Sequence, residues 1–224
     1  MKIVISLGGS VFLKDFSSER IRNYAEVLER ASRENKLFVV VGGGKIARDY
    51  IRIARDIGAD NTFCDYIGIN VTRINAMLLC SAIKTAPKRI PKDFVEASEL
   101  SQNYNIVVMG GTFPGHTTDA TSALLAEFVN ADLFLNATSV NGVYSEDPKR
   151  NPNAKRFEEI KIDDLIGIIM REETKAGGSF VLDLLAAKIV QRSKIKTIIF
   201  LGEPENIERV IRGDFREIGT LVIP

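Results

Sequence analysis

LFVVVGGGKIARDYIRIARDI, residues 37–57, carries five apolar residues into three consecutive glycines and then into a charged, amphipathic stretch. Five apolar residues without polar alternation predict a strand buried on both faces, and such strands belong to parallel sheets covered by crossover helices. The residues after the glycines predict a helix over 45–57. Two further strand patterns end in the same way, Leu7 into Gly8-Gly9-Ser10 and Met109 into Gly110-Gly111-Thr112.

Outward from this stretch, Val- and Ile-rich strand patterns recur at residues 2–7, 105–109, 132–137 and 196–201, with helical patterns at 18–34, 66–83, 119–129, 162–170 and 180–192. Their alternation predicts an α/β sandwich with a mainly parallel central sheet. A short helix at 206–211 and a last strand at 220–223, expected to be an antiparallel edge, complete the pattern. Residues 144–155, with Asp147, Pro148, Asn151, Pro152 and Asn153, cannot continue a helix or a central strand and predict a long ordered loop. A linker between independent domains would look similar. Strand patterns of the same character continue past it, so one sheet with two functional lobes is expected, roughly 1–130 and 131–224.

Composition excludes several classes. The 224 residues are 45% hydrophobic and 26% charged with a formal net charge of +1, as in ordinary globular proteins. Lys and Arg alternate with Glu along residues 19–33, the pattern of a solvated helix face rather than of a surface for nucleic acid. Cys64 and Cys80 make neither a disulfide framework nor a zinc pattern. No apolar run reaches the length of a membrane span and residues 1–7 are too short for a secretory signal, so a cytoplasmic protein with buried thiols is expected.

The glycine turns carry the chemistry. In an open parallel sheet, ligands bind beyond the carboxyl ends of the strands, where glycine lets backbone amides approach an anion and a helix N-terminus adds partial positive charge. One such turn is explained equally well by the dihedral needs of the turn itself; three at equivalent strand ends point to a site. The P-loop pattern fails, because Val39 stands where its first glycine belongs and Ile46 where Ser or Thr belongs, and no segment gives G-x-G-x-x-G. Lys45 and Arg48, three apart at a helix start, are placed to reach whatever the turns hold, although solubility alone would also explain them. Residues 110–119 gather three glycines, three threonines and Pro114 between a strand and a helix, a concave acceptor for phosphate or sugar oxygens. Thr118 or Asp119 could equally cap that helix. His116, the single histidine, can be satisfied within the turn.

These residues resemble a known family. Leu7-Gly8-Gly9-Ser10, Val41-Gly42-Gly43-Gly44-Lys45, residues 110–119, Ala131-Asp132, residues 138–144 and Asp147-Pro148, in this order, are similar to the amino acid kinase superfamily over nearly the whole chain. The Gly-Gly-Gly-Lys turn with Arg48, and residues 114–119, resemble its archaeal type of UMP kinase. The resemblance implies a three-layer α/β/α fold, ATP and UMP end to end above the strand ends, Mg²⁺ carried by ATP rather than by a protein cage, and a homo-oligomer, most often a hexamer. It places Gly9, Ser10, Gly44 and Arg48 around the ATP phosphates, and Thr138, Ser139, Tyr144 and Asp147 around adenine and ribose. It places Gly43, Asp65, Thr112, Phe113, Pro114, Gly115, His116, Thr117 and Thr118 around UMP. Asp65, expected to open a helix, would accept a hydrogen bond from a ribose hydroxyl, with helix capping as the competing explanation. Asp119 would order the cations around the transferring phosphoryl, and Asp183 matches an aspartate that follows a later glycine pair, Gly177-Gly178. Many members carry lysine where this chain has Ser6, and Lys45 is the expected substitute.

Two phosphates must then come within bonding reach, and like unit charges about 4 Å apart repel by roughly 4 kcal/mol at an effective dielectric of 20. Mg²⁺, Lys45, Arg48 and the glycine amides together would offset that, with Lys45, Arg48 and Asp119 as the catalytic set. A phosphate oxygen is already ionised at neutral pH, so no protein nucleophile is required. A carboxylate or carbamate kinase of the same fold, and a non-catalytic nucleotide- or oxyanion-binding protein, are the competing readings.

Overall fold

A computed structural model describes residues 1–148, 151, 153–173 and 181–224. The elements run β1 (Lys2–Leu7), α1 (Gly9–Phe12), α2 (Ser18–Ala31), β2 (Lys36–Val41), α3 (Gly44–Asp56), α4 (Asn61–Ala82), α5 (Phe94–Leu100), β3 (Ile106–Met109), α6 (Thr118–Phe128), β4 (Leu133–Thr138), β5 (Glu159–Lys161), α7 (Ile162–Glu173), α8 (Leu184–Ser193), β6 (Thr197–Leu201), α9 (Pro204–Ile211) and β7 (Gly219–Ile223). One seven-stranded sheet has the order β3-β2-β1-β4-β6-β7-β5. Among the described residues every pairing of these strands is parallel except β6 with β7.

Alternate residues of each central strand feed opposite layers. Ile3, Ile5 and Leu7 of β1 and Leu37, Val39 and Val41 of β2 pack with Tyr24, Leu28 and Leu79 on one side. Val4, Phe38 and Val40 pack with Leu125, Phe134 and Ile166 on the other. Each fully buried aliphatic or aromatic side chain contributes about 1.5–3 kcal/mol. A one-residue slip would exchange both faces at once, so packing fixes the register, and with it the level at which the strand-end turns lie.

The structure corrects three expectations. The last strand is antiparallel to β6 but is not the edge, because the three-residue β5 pairs outside it. A strand of three residues, like the four-residue α1 and seven-residue α5, leaves too little periodicity to detect. The helix expected from residue 66 begins at Asn61, where the Asp60 carboxylate accepts the Phe63 N–H at 2.8 Å. Asp65 therefore lies inside α4 and caps nothing. Phe180, where another helix was expected to begin, lies outside the described residues, and α8 starts at Leu184.

Candidate active site

The carboxyl ends of β1, β2, β3 and β4 open onto a cleft of about 600 Å³, a size that suits small-molecule ligands. Two of the glycine turns interlock at its floor. A Cβ on Gly9 would stand 2.2 Å from the Gly44 nitrogen, and one on Gly42 would stand 2.6 Å from the Gly9 nitrogen. Gly44 also has φ +64°, a conformation that side chains disfavour. The absent side chains thus leave room for the neighbouring turn's backbone first, and only through that close approach for an anion. At the third turn, a Cβ on Gly110 would meet Thr72 Oγ1 and the Arg73 nitrogen at 2.7 Å, so this glycine seats α4 against the end of β3.

Two helix ends on the cleft lack the side-chain caps found at most other helices for which a cap residue is described. Ser17, Asp60, Asp93, Thr117 and Asp183 cap α2, α4, α5, α6 and α8 through their side chains. By contrast α1 and α3 start after Gly8 and Gly43, which offer no side-chain acceptor, and both glycines line the cleft. α9 also lacks a side-chain cap, but its first residue is Pro204, which has no N–H to satisfy. First-turn N–H groups without an intrahelical partner carry the positive end of the helix dipole, and here two such ends meet across one floor. Arg48 crosses between them, its Nη2 3.3 Å from Ser10 Oγ.

Asp119 does not cap α6. Thr117 does, accepting the Ala120 N–H at 3.0 Å. The Asp119 carboxylate instead turns toward β1, where the buried Ser6 hydroxyl donates to it at 2.7 Å. Burial is the main force that pushes its carboxyl up to about 6; Asp183 adds to the rise, while hydrogen bonds from Ser6 and Asn136 oppose it. Asp183 accepts the Ala186 N–H with one oxygen and the Thr117 hydroxyl with the other, which joins the N-termini of α6 and α8. Among the described residues no Lys or Arg forms an ion pair with either carboxylate. Gly177 and Gly178 lie outside the described residues.

On the opposite side of the cleft, Asp65 Oδ2 accepts the Gly115 N–H at 2.8 Å, so α4 holds the loop that follows β3. Gly115, His116, Thr117 and Thr118 line the cleft with Asp65. Thr112, Phe113 and Pro114 are not among its walls: Thr112 is buried, with Oγ1 lacking a partner, and Phe113 is 58% exposed. Of the residues assigned to ATP, the structure brings Gly9, Ser10, Gly44, Arg48, Thr138 and Ser139 together on the cleft, along with Gly43 from the acceptor set. Tyr144 and Asp147 lie off it. The Tyr144 hydroxyl donates to Asn141 Oδ1 at 2.6 Å, and the Asp147 carbonyl accepts the Asn151 N–H at 2.9 Å.

Lys45 is the clearest departure from expectation. Its ammonium pairs with Asp49 one turn along α3, and its side chain is 80% exposed. Two positions so close to the helix start point differently, and only Arg48 reaches the cleft. Sequence reasoning also passed over Asn136 and Thr72. Asn136 is the single polar side chain within the β4 run LFLNA, a signal that was available. Thr72 bonds both the Ile69 carbonyl and the Gly111 N–H from mid-helix, and only three dimensions show that.

Known proteins supply an independent comparison. The family model described as "Amino acid kinase family" matches residues 1–201. The uridylate kinase of Archaeoglobus fulgidus is 57% identical over 222 residues, covering 99% of this chain and 100% of that protein. Its crystal structure superposes with a TM-score of 0.91 at 55% identity, covering 99% of this chain and 100% of that one. A UMP kinase structure from Ureaplasma parvum gives 0.82 at 25% identity, over 100% and 99%. With the interlocked glycine turns, the parallel sheet and these matches in agreement, the chain belongs to the amino acid kinase family.

Proposed function

We propose that this chain transfers the γ-phosphoryl group of ATP to UMP, giving UDP for pyrimidine nucleotide synthesis in the cytoplasm. The observation that carries the reading is the meeting of two helix N-termini without side-chain caps across interlocked glycine turns, with Arg48 between them. Relatives named uridylate kinase, matched end to end, support it. In this reading the N–H groups of Gly9, Ser10 and Gly44, with Arg48, take the ATP phosphates, and Thr138 and Ser139 begin the nucleoside subsite, with Tyr144 and Asp147 on the chain that continues from it. Gly43, Asp65 and residues 115–118 take UMP, and Thr112, Phe113 and Pro114 set the course of that loop. The lobe of residues 1–130 then takes the acceptor and the donor's phosphates, and the lobe of residues 131–224 takes the donor's nucleoside.

Chemistry in such a site is positioning plus electrostatics. Arg48 and the amides hold both phosphates while their charges are forced together, and the acceptor oxygen needs no base. Asp119 on the cleft wall, with Asp183 close enough to raise its carboxyl and neither with a described cationic partner, suits a divalent cation arriving with ATP. Mg²⁺ there would neutralise charge on the phosphates. Arg48→Ala is expected to lower turnover about a hundredfold, the usual cost of one transition-state donor. Lys45→Ala is expected to change it by about threefold at most, as for an exposed charge in an i,i+4 pair. Steady-state kinetics of the two variants check both, and equal losses would return Lys45 to the site.

A homo-oligomer, most simply a hexamer, fits the surface of α3 and α4, where Tyr50, Ile53, Ile57, Phe63, Tyr66 and Met77 are all more than half exposed. Paired Ile53→Glu and Met77→Glu substitutions are expected to yield smaller particles by light scattering; an unchanged mass would place the interface elsewhere.

A coupled ADP-release assay across UMP, CMP, carbamate and N-acetylglutamate tests the function. Turnover with UMP is expected. Turnover with a carboxylate or carbamate alone would overturn the proposal, and ATP binding without any turnover would favour a non-catalytic binder.

A further inference from the structure

Behind α1, on the face away from the cleft, lies a charged cluster that the proposed chemistry does not use. Arg20 of α2 donates from Nε to the Val11 carbonyl at 2.8 Å and from Nη2 to the Tyr24 hydroxyl at 3.2 Å, and pairs with Glu203 at 2.8 Å. The side chains are only 12% and 22% exposed for Arg20 and Glu203, and Tyr24 is fully buried. Tyr24 passes the connection on. Its hydroxyl donates to the Gly202 carbonyl at 2.5 Å, and the Gly202 N–H donates to the Thr138 carbonyl at 2.9 Å. Its ring meets Phe12 edge-on at 5.6 Å. Burial, with the Glu203 charge, pushes the Tyr24 phenol above its ordinary range, so it stays a donor to Gly202.

The cluster therefore grips both ends of the proposed ATP subsite from outside. Val11 is the next-to-last residue of the four-residue α1 that presents Gly9 and Ser10, and Thr138 ends β4 on the cleft. A helix of four residues cannot hold itself together, because nucleation costs more than one or two hydrogen bonds return. A guanidinium on its C-terminal carbonyl, opposite in sense to an anion at its N-terminus, is the arrangement the helix dipole favours. We infer that Arg20 and Tyr24 are positioning residues for the nucleoside triphosphate, fixing the α1 turn relative to the end of β4 without touching the ligand.

This rests on the assignment of ATP to that half of the cleft, and the test separates the two. ATP affinity is measured by calorimetry without UMP, alongside steady-state KM for each substrate, on Arg20→Lys, Tyr24→Phe and the control Arg30→Ala. Arg30 also ties α2 to α9, through Glu208 at 3.2 Å, but is exposed and reaches neither α1 nor β4. Lysine keeps the charge of Arg20 but not the fork that serves three acceptors. Arg20→Lys and Tyr24→Phe are expected to weaken ATP binding and raise its KM about tenfold, the loss of one charge-assisted or buried hydrogen bond. KM for UMP should stay within about twofold, and Arg30→Ala should match wild type. Should Arg20→Lys fail to fold, Tyr24→Phe decides. Lowered melting temperature with unchanged ATP affinity, or equal losses for ATP and UMP, would overturn the inference. Wild-type chain that binds ATP yet ignores UMP would remove the acceptor assignment and leave this one standing; wild-type chain that binds no ATP would remove both.

Discussion

Asp119→Asn is expected to stabilise the ligand-free protein while abolishing most of its activity. Burial above all pushes this carboxyl up to about 6, above the ordinary aspartate range, so the folded state keeps its proton more tightly than the unfolded chain does. The Asp119 contribution is therefore most favourable below pH 4, falls as pH rises from about 4 to about 6, and is flat above that. A shift of this size corresponds to about 3 kcal/mol at most, lessened by whatever water reaches the cleft wall. Asparagine can still accept the Ser6 hydroxyl and carries no charge to bury or to oppose Asp183. Calorimetry at pH 7.5 should show a melting temperature higher by about 5 °C, and at pH 4 the advantage should be nearly gone. Turnover should fall on the order of a hundred- to a thousandfold, because the residue proposed to order cations around the phosphoryl group has lost its charge. Unchanged melting at pH 7.5 would mean that the carboxylate is well solvated, and unchanged turnover would remove it from the mechanism.

Gly9→Ala is expected to cost both fold and function. Its new Cβ would lie 2.2 Å from the Gly44 nitrogen and 2.5 Å from the Gly42 oxygen. Both are backbone atoms of the β2–α3 turn, so relief requires the two turns to separate. Overpacking of this kind costs about 1–3 kcal/mol or more, and separation would also spread the N–H groups proposed to share the phosphates. Gly58→Ala supplies the contrast, since Gly58 has φ +96° with nothing within 4 Å of an added Cβ. It should show backbone strain alone and keep full activity. Chemical denaturation and nucleotide affinity of the two variants, side by side, separate contact from conformation. Equal effects would mean that the interlock contributes nothing.

The fold was legible because β1, β2, β3, β4 and β6 are each largely apolar runs, broken only by Ser6 in β1 and Asn136 in β4, that end at glycine or at a polar turn. Elements of three to seven residues were not, since α1, α5 and β5 are formed by what they pack against rather than by their own pattern. Within the site, residue types at strand ends were informative and side-chain directions were not. Lys45 and Arg48 look alike in sequence, yet Asp49 draws one outward and Ser10 meets the other in the cleft. Asp119 and Thr117 both suit a helix cap, and only the buried Ser6 hydroxyl on β1 explains why the threonine takes that task. In sequence the space beside Gly9, Gly42 and Gly44 is open to a ligand, whereas in three dimensions the partner turn fills it.

A crystal structure with UMP and a non-hydrolysable ATP analogue would test the paired N-termini most directly. The terminal phosphate of the analogue is expected on the N–H groups of Gly9, Ser10 and Gly44, with the UMP phosphate facing it beside Arg48 and the nucleoside toward Asp65 and Gly115. Either nucleotide bound outside this cleft, or both phosphates held away from the two glycine turns, would contradict it.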